Sequence, residues 1–479
     1  MIYENPDKVK IGLEIHVQLN KANTKMFCGC TTDYTESGPN ECVCPGCLAL
    51  PGVPPVLNQS SIDFAIRIGL ALNAKINKET DFYLKNYFYP DLGSGYQTTQ
   101  FDKPIVYDGY VLIDGEDGLE HKVRIRRAHM EDDPAKLVHF GTIDKSTGSA
   151  ADFNRSGMPL VEIVTEPDMR SPKEVRRFLD KLRSILEYLD VVDSTREGSI
   201  KADVNVSVQN KTRVEVKNIS SHRAAEKAAQ FEIMRQKDAY RKGKEVVQET
   251  RHFDEVRNVT VSLRAKETED DYRYFPAFDL VSYKITDKKI QKIKDRLPEL
   301  PDAKRERFVK QYDLSEALAK SLTTEKEFAD FFENAARKTD PKMAASWADI
   351  IRGELNYRDL SVKAIKTEEL IRIVELVSEN KINDVGGVLI VRTLLDEGGT
   401  ADQIVKAKNL GIAEDDETKK AAVEAVSENP EAVSDYLNGT EKAINFIVGK
   451  VMQKTKGKAD AKTAREMVIE AIDEKYNGN

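Results

Sequence analysis

The sequence predicts an α+β fold up to about residue 295 and an all-helical remainder, and three observations predict it. Fifteen of the seventeen prolines lie at or before Pro301, with only Pro341 and Pro430 beyond. Before that point, stretches alternating apolar and polar residues stand among stretches with helical spacing. After LPELPDAKRERF the chain is rich in Ala, Lys, Glu and Leu at helical spacing.

The first strand is VKIGLEIHVQL. Period-two alternation puts Ile11, Leu13, Ile15, Val17 and Leu19 on one face and Glu14, His16 and Gln18 on the other. KVRIRR, DVNVSV and TRVEVK read as further half-buried strands, and SSIDFAIRIGLALN, PKEVRRFLDKLRSILEYL and HRAAEKAAQFEIMRQ as helices. GGTADQ near residue 400 punctuates the helical region. The length of 479 residues suits roughly three folding units at about 150 residues each. The breaks place them at 1–294, 295–404 and 405–479. Within INDVGGVL, Gly386 and Gly387 each weaken a helix by about 1 kcal/mol relative to Ala, which predicts a helix end or a kink.

Composition narrows the class. With 40% hydrophobic and 32% charged residues and a net charge of −8, the chain reads as a well-hydrated globular protein. The acidity argues against indiscriminate nucleic-acid binding, so an RNA partner would have to meet a local basic patch. NFIVGKVMQKTKGKADAKTAR supplies one, with Lys450, Lys454, Lys456, Lys458, Lys462 and Arg465 against the single acid Asp460. A solvated helix end is its plainer reading. No apolar run approaches the roughly 20 residues that cross a bilayer, and MIYENPDKVKIGLEI lacks the features of a signal peptide. A cytoplasmic location is expected.

All five cysteines fall in one short stretch, better suited to metal ligation in a reducing compartment than to disulfides. Cys28 and Cys30, then Cys44 and Cys47, give CxC and CPGC, four thiolates at a spacing that suits tetrahedral Zn2+. Four sulfurs close the coordination shell, so such zinc would be structural. Cys42 is a spare that could also pair with Cys44, and unligated cysteines or a redox pair are the alternatives.

Glu14 and His16 project together from the first strand, HMEDD at 129–133 follows another, and Asp203, Asn205 and Ser207 mark a third polar face. Arg213, Glu215 and Lys217 mark a fourth. These faces describe either a polar cleft able to hold Mg2+, which takes a few oxygen ligands with water and phosphate, or an antiparallel sheet with one wet side. There is no GxxxxGK[ST] phosphate loop and no GxSxG elbow, so any use of ATP is of an unusual kind.

IGLEIHVQL, MFCGC, VCPGCLALPGVPPVLN, KNYFYPDL, GYQTTQFD, HMEDD, NRSGMPLVEIVTEPDMRSP, EGSIKADVNVSV, VVQETRHFDE and DYRYFP follow one another in this chain. In these strings, in their order and approximate spacing, it resembles the GatB family, the B subunits of Asp/Glu-tRNA amidotransferases, along essentially its whole length. The resemblance implies a cradle-like N-terminal mixed α/β domain with a four-cysteine zinc insert at 28–47, then a helical domain, then a small helical tail that reaches tRNA. It implies that ATP phosphorylates the side-chain carboxylate of Glu or Asp esterified to tRNA. Ammonia released from glutamine by the glutaminase, or A, subunit then displaces the phosphate. The small C subunit holds the pair together in a heterotrimer.

The matching Mg2+ candidates are Glu14, His16, Glu131 and Asp132. Lys85, Tyr87 and Tyr89, Arg155, and Glu197, Ser199, Asp203 and Asn205 match positions for catalysis and for substrate and ATP handling. The aromatics of KNYFYPDL read equally as plain core. Lys450, Lys454, Lys456 and Lys458 fall in the tRNA-binding tail. The implied cofactors are ATP, Mg2+ and structural Zn2+, and the implied partners are the A and C subunits of the amidotransferase and a misacylated tRNA. The chain departs from the family where Asp132 replaces a Glu and where DLGSGYQ, with Gly93 and Ser94, replaces DLPKGYQ. DDPAKL likewise replaces EDAGKL. A zinc-stapled RNA-binding scaffold without chemistry is the competing reading; a zinc hydrolase is disfavoured because the zinc ligands are all cysteine.

Overall fold

The computed structural model describes residues 7–141, 147–217, 219–265, 269–411, 415–455, 458–459 and 461–476. The chain forms two compact units, Met1–Pro301 and Asp302–Asn479.

The strands of the first unit are β1 (Lys10–Gln18), β2 (Lys75–Ile76), β3 (Glu79–Thr80), β4 (Tyr83–Asn86), β5 (Tyr96–Thr99), β6 (Val106–Asp114), β7 (Glu120–Asp132), β8 (Lys136–Phe140), β9 (Gly148–Asp152), β10 (Pro159–Thr165), β11 (Ile200–Ser207), β12 (Val214–Lys217), β13 (Glu249–Asp254), β14 (Val259–Ala265), β15 (Phe275–Pro276) and β16 (Tyr283–Lys284). Twelve of them build one sheet in the order β14-β13-β12-β11-β1-β10-β7-β5-β4-β15, with β6 pairing both β2 and β7. Its centre, β11-β1-β10-β7, is antiparallel throughout. The one parallel pair in that order, β12 with β13, has α3 in its connection, as a parallel crossover requires.

The alternation in β1 decides which side is covered. Ile11, Leu13, Ile15 and Val17 are buried in the main core together with residues of α1 (Gln59–Ala71), α2 (Pro172–Tyr188) and α3 (His222–Arg241). In α2, Ser171 caps the Glu174 N–H, Pro172 occupies the first turn, and Val175, Phe178, Leu179, Leu182, Ile185 and Leu186 form the inward stripe. Each such side chain contributes about 1.5–3 kcal/mol on burial. Glu14, His16 and Gln18 are thereby left on the other side of the sheet.

The second unit is all-α among the described residues. Phe308, Tyr312 and Phe332 pack edge-on, with centroids 5.0–5.5 Å apart. At the glycine joint Gly398 and Gly399 take φ of 76° and 95°, and Thr400 opens the next helix with a capping box to Gln403. Beyond it, Ala422, Val426, Ile444, Ile447, Val451, Val468 and Ile472 share a separate apolar cluster. No helix among the described residues is long and apolar enough to cross a membrane.

Gly386 and Gly387 sit in the first turn of a helix, Asp384–Asp396, capped by Asn383, so the pair marks a helix start and not a kink. The reason is packing. A Cβ on Gly387 would lie 2.2 Å from the buried ring of Trp347 in the helix Pro341–Tyr357. Helix propensity favours Gly387→Ala by about 1 kcal/mol, whereas overpacking costs about 1–3 kcal/mol. Gly387→Ala is therefore expected to lower the thermal midpoint of the full chain, and an unchanged or higher midpoint would show that the ring yields freely.

Candidate active site

Strand register assembles the polar side of the sheet. His16 on β1 lies opposite Lys201 on β11 and Glu162 on β10, and Glu162 in turn lies opposite His129 on β7. Glu14, one step along the same face, lies opposite Asp203. Two clusters result, each with ligand atoms within 4.8 Å of one another: His16, Glu131 and Glu162, and Glu14, Asp203 and Glu215.

The first cluster is tightly held. Glu131 is buried, accepts from Thr99 Oγ1 at 2.8 Å and Gln97 Nε2 at 3.0 Å, and lies 3.2 Å from His129 Nε2. Glu162 Oε2 stands between His129 Nε2 at 3.4 Å and His16 Nε2 at 3.6 Å. Burial opposes charge on His16, but the Glu162 contact and the surrounding carboxylates outweigh it and raise its pKa to about 9. Burial likewise opposes the Glu162 charge, and the two imidazoles hold its carboxyl well below the usual range. Burial opposes the Lys85 charge too, while Glu131, Tyr274 and Glu162 favour it and raise its pKa. The buried His129 has a second ring nitrogen, Nδ1, without a partner.

The second cluster contains only oxygen ligands. Glu14 Oε1 accepts from Asn205 Nδ2 at 3.1 Å, and Glu215 accepts from Thr250 Oγ1 at 2.8 Å. Lys217 Nζ lies 2.5 Å from Asp203 and 3.5 Å from Glu215. Three carboxylates thus face one ammonium, an arrangement whose donors fit a hard divalent cation.

Four of the five cysteines gather in the first unit. Cys28, Cys30, Cys44 and Cys47 place their sulfurs within 4.8 Å of one another, with Cys30 and Cys47 3.9 Å apart. Tetrahedral zinc at about 2.3 Å needs sulfurs roughly 3.8 Å apart, so the set fits such a metal. Cys42 is turned away, its sulfur 3.1 Å from Ser37 Oγ. The Cys28 contact lowers the Cys47 pKa against the effect of burial, and the Cys44 N–H and Lys25 lower it further, to about 4.

Comparison with known proteins identifies the family. A family profile described as the GatB/GatE catalytic domain matches residues 9–291, and one described as the GatB domain matches 330–472. The chain belongs to the GatB family. It is 56% identical over 473 residues to the B subunit of the aspartyl/glutamyl-tRNA(Asn/Gln) amidotransferase of Methanococcoides burtonii, covering 98% of this chain and all of the relative. The protein of the same name from Methanosarcina barkeri is also 56% identical, at the same coverage, and that of Methanoregula boonei 48%, over 97% of this chain and 98% of the relative.

In this GatB-family chain the four Mg2+ candidates are divided. His16 and Glu131 join Glu162, Glu14 joins the second cluster, and Asp132 belongs to neither. Asp132 accepts from the Thr98 N–H at 2.6 Å and lines a separate cavity of about 400 Å3, together with Cys28, Cys47, Gly93, Ser94 and Asp133. Burial, ahead of its neighbours, pushes its pKa up to about 7. Glu162 was missed although its signal was present: it is the one acid in the apolar run PLVEIV.

The remaining candidates are scattered in role. Lys85 Nζ lies 5.0 Å from the Tyr272 ring and 5.9 Å from that of Tyr87, whose hydroxyl donates to Gln97 at 3.3 Å. Tyr89 and Phe88 are exposed, which removes them from the core. Arg155 donates to the carbonyls of Pro134 and Ala135 and so braces the loop after β7. Glu197 has a 93% exposed side chain 3.8 Å from Lys136. Ser199 is buried, and its carbonyl accepts from Gln18 N. Lys450 lies over the Phe446 ring, Lys454 pairs with Glu424 and Glu428, Lys458 is half-buried, and Lys456 lies outside the described residues.

The sulfur geometry separates the cysteines in a measurable way. Cys44→Ser is expected to lower bound zinc well below one per chain, while Cys42→Ser retains it, as read by elemental analysis. Equal loss in both would return Cys42 to the ligand set.

Proposed function

We propose that this chain is the B subunit of an aspartyl/glutamyl-tRNA(Asn/Gln) amidotransferase, working in the cytoplasm with the A and C subunits of that enzyme. The observation that carries the reading is a polar sheet face bearing two adjoining carboxylate clusters, in a chain matched over 98% of its length by a relative of that name. A carboxylate resists attack by ammonia until one oxygen becomes a phosphate leaving group. ATP supplies that group to the Glu or Asp side chain on the misacylated tRNA, and ammonia made from glutamine by the glutaminase partner then displaces it.

Phosphoryl transfer is mostly positioning and charge neutralisation, and the residues supply both. Mg2+, when bound, neutralises charge on the phosphates; Glu14, Asp203 and Glu215 are the residues that would hold it, and His16, Glu131 and Glu162 form the adjoining position, open to a cation once His16 gives up its proton. Thr99 and Gln97 fix the Glu131 carboxylate, and Asn205 fixes that of Glu14. Lys85 brings positive charge beside Glu131 and Glu162. Asp132 serves the neighbouring cavity, so the substitution from Glu leaves both clusters whole. The four-cysteine cluster holds zinc as a structural staple. Residues 405–479 form a tRNA-binding tail in which Lys450 and Lys458 meet backbone phosphates; Lys454 already has two carboxylates.

In the assembled complex supplied with ATP, Mg2+, glutamine and Glu-tRNA or Asp-tRNA, Glu162→Gln and Glu131→Gln are expected to slow amide formation at least about 100-fold, or about 2.7 kcal/mol. Asp132→Asn is expected to slow it less. A folded wild-type complex that binds tRNA but makes no Gln-tRNA or Asn-tRNA would favour the scaffold reading. Deleting residues after 405 is expected to weaken tRNA binding at least about tenfold at low salt while sparing zinc, since phosphate contacts carry much of the affinity. Unchanged binding would assign those lysines to a solvated surface.

A further inference from the structure

Lys25 lies beside the four cysteines and is fully buried. Its Nζ donates to the carbonyls of Cys42 at 3.0 Å and Phe153 at 3.3 Å, and to Cys47 Sγ at 3.5 Å. Among the described residues no carboxylate pairs with it. A buried ammonium is tolerated only where anions or hydrogen-bond acceptors answer it. Here the anionic partner is a thiolate cluster. Four thiolates around one divalent zinc carry two net negative charges, and one lysine halves them.

The same ammonium spans two segments. Cys42 belongs to the cysteine loop and Phe153 to the loop between β9 and β10, which is joined to the cysteine loop by Ser156 Oγ donating to Cys47 O at 2.8 Å and Asn154 Oδ1 accepting from Cys42 N at 2.8 Å. That second loop closes onto the end of β7. Gly157 N donates to Asp133 O at 2.8 Å, and Asp133 N donates to Met158 O at 2.9 Å. Gly157 sits at φ 78° against Cys47 and Lys25, a conformation that a side chain would strain. Cys28, Cys47, Gly157, Asp132 and Asp133 all line the one cavity.

We infer that Lys25 is a positioning residue that compensates the charge of the zinc tetrathiolate and pins the 153–158 loop between that cluster and Asp132–Asp133 where β7 ends. The inference rests on zinc occupying the four cysteines. Groups just outside a metal's ligands typically change metal affinity 10–100-fold when replaced, and Lys25 is expected to fall in that range.

Lys25→Met keeps most of the volume and removes the charge. In the full-length chain it is expected to weaken zinc binding 10–100-fold in competition with a chromogenic chelator, while the metal-free chain melts no lower than metal-free wild type. In the zinc-loaded variant, amides of 153–158 are expected to exchange hydrogen faster than in zinc-loaded wild type. A plain packing role predicts the reverse: both metal-free and loaded forms melt lower by similar amounts and zinc affinity is unchanged, which would overturn the inference. Should Lys25→Met not fold, Lys25→Gln, which keeps donors without charge, is read by the same criteria; failure of both to fold even with saturating zinc would count as the packing role. Wild type binding no zinc at all would instead remove the structural-zinc reading beneath it.

Discussion

Glu162 is a largely buried carboxylate placed between two imidazoles, and the site depends on how it gets there. Burying an unanswered carboxylate is prohibitively costly, so its cations must arrive with the fold. They do so through register: β1 and β7 both pair with β10 such that His16 and His129 fall directly opposite Glu162. A slip of one residue would turn the whole polar row toward the core and bring Ile15 or Val17 to the cleft. The apolar face of β1, locked under the helices by Ile11, Leu13, Ile15 and Val17, is what prevents that slip. Core packing on one side of the sheet thus fixes the chemistry on the other.

Much of this was legible in the sequence, for reasons that differ by residue. Strict alternation announced β1 and put Glu14 and His16 on one face, and the cysteine spacing picked the four sulfurs that gather, with Cys42 the spare. What spacing could not supply was which strands are neighbours. Glu14 and His16 are two residues apart on one face, yet they belong to different clusters because Asp203 approaches from β11 and Glu162 from β10. HMEDD likewise reads as one acidic group, whereas the strand sends Glu131 to the first cluster and Asp132 to the neighbouring cavity. Arg155 entered only through the family resemblance, and no spacing could show that two loop carbonyls take its guanidinium here. Gly386 and Gly387 looked like a weakness by propensity; the Trp347 ring supplies the reason for at least the second.

The two clusters differ in the cation each would accept. Glu14, Asp203 and Glu215 offer only oxygen and outnumber Lys217, so a hard ion such as Mg2+ suits their donors. The cluster around Glu162 already contains its own counter-charges in His129 and Lys85, and it offers an imidazole among its ligands. Imidazole is a softer donor, and a site that includes it is less selective for Mg2+ over transition ions. The pair together therefore reads as one strongly attracting position beside one that is electrostatically nearly settled by the protein itself. In the proposed reaction an arriving polyphosphate would meet Lys85 and Lys217 on this face as well as any bound ion, so an acidic chain of net charge −8 still offers local positive charge.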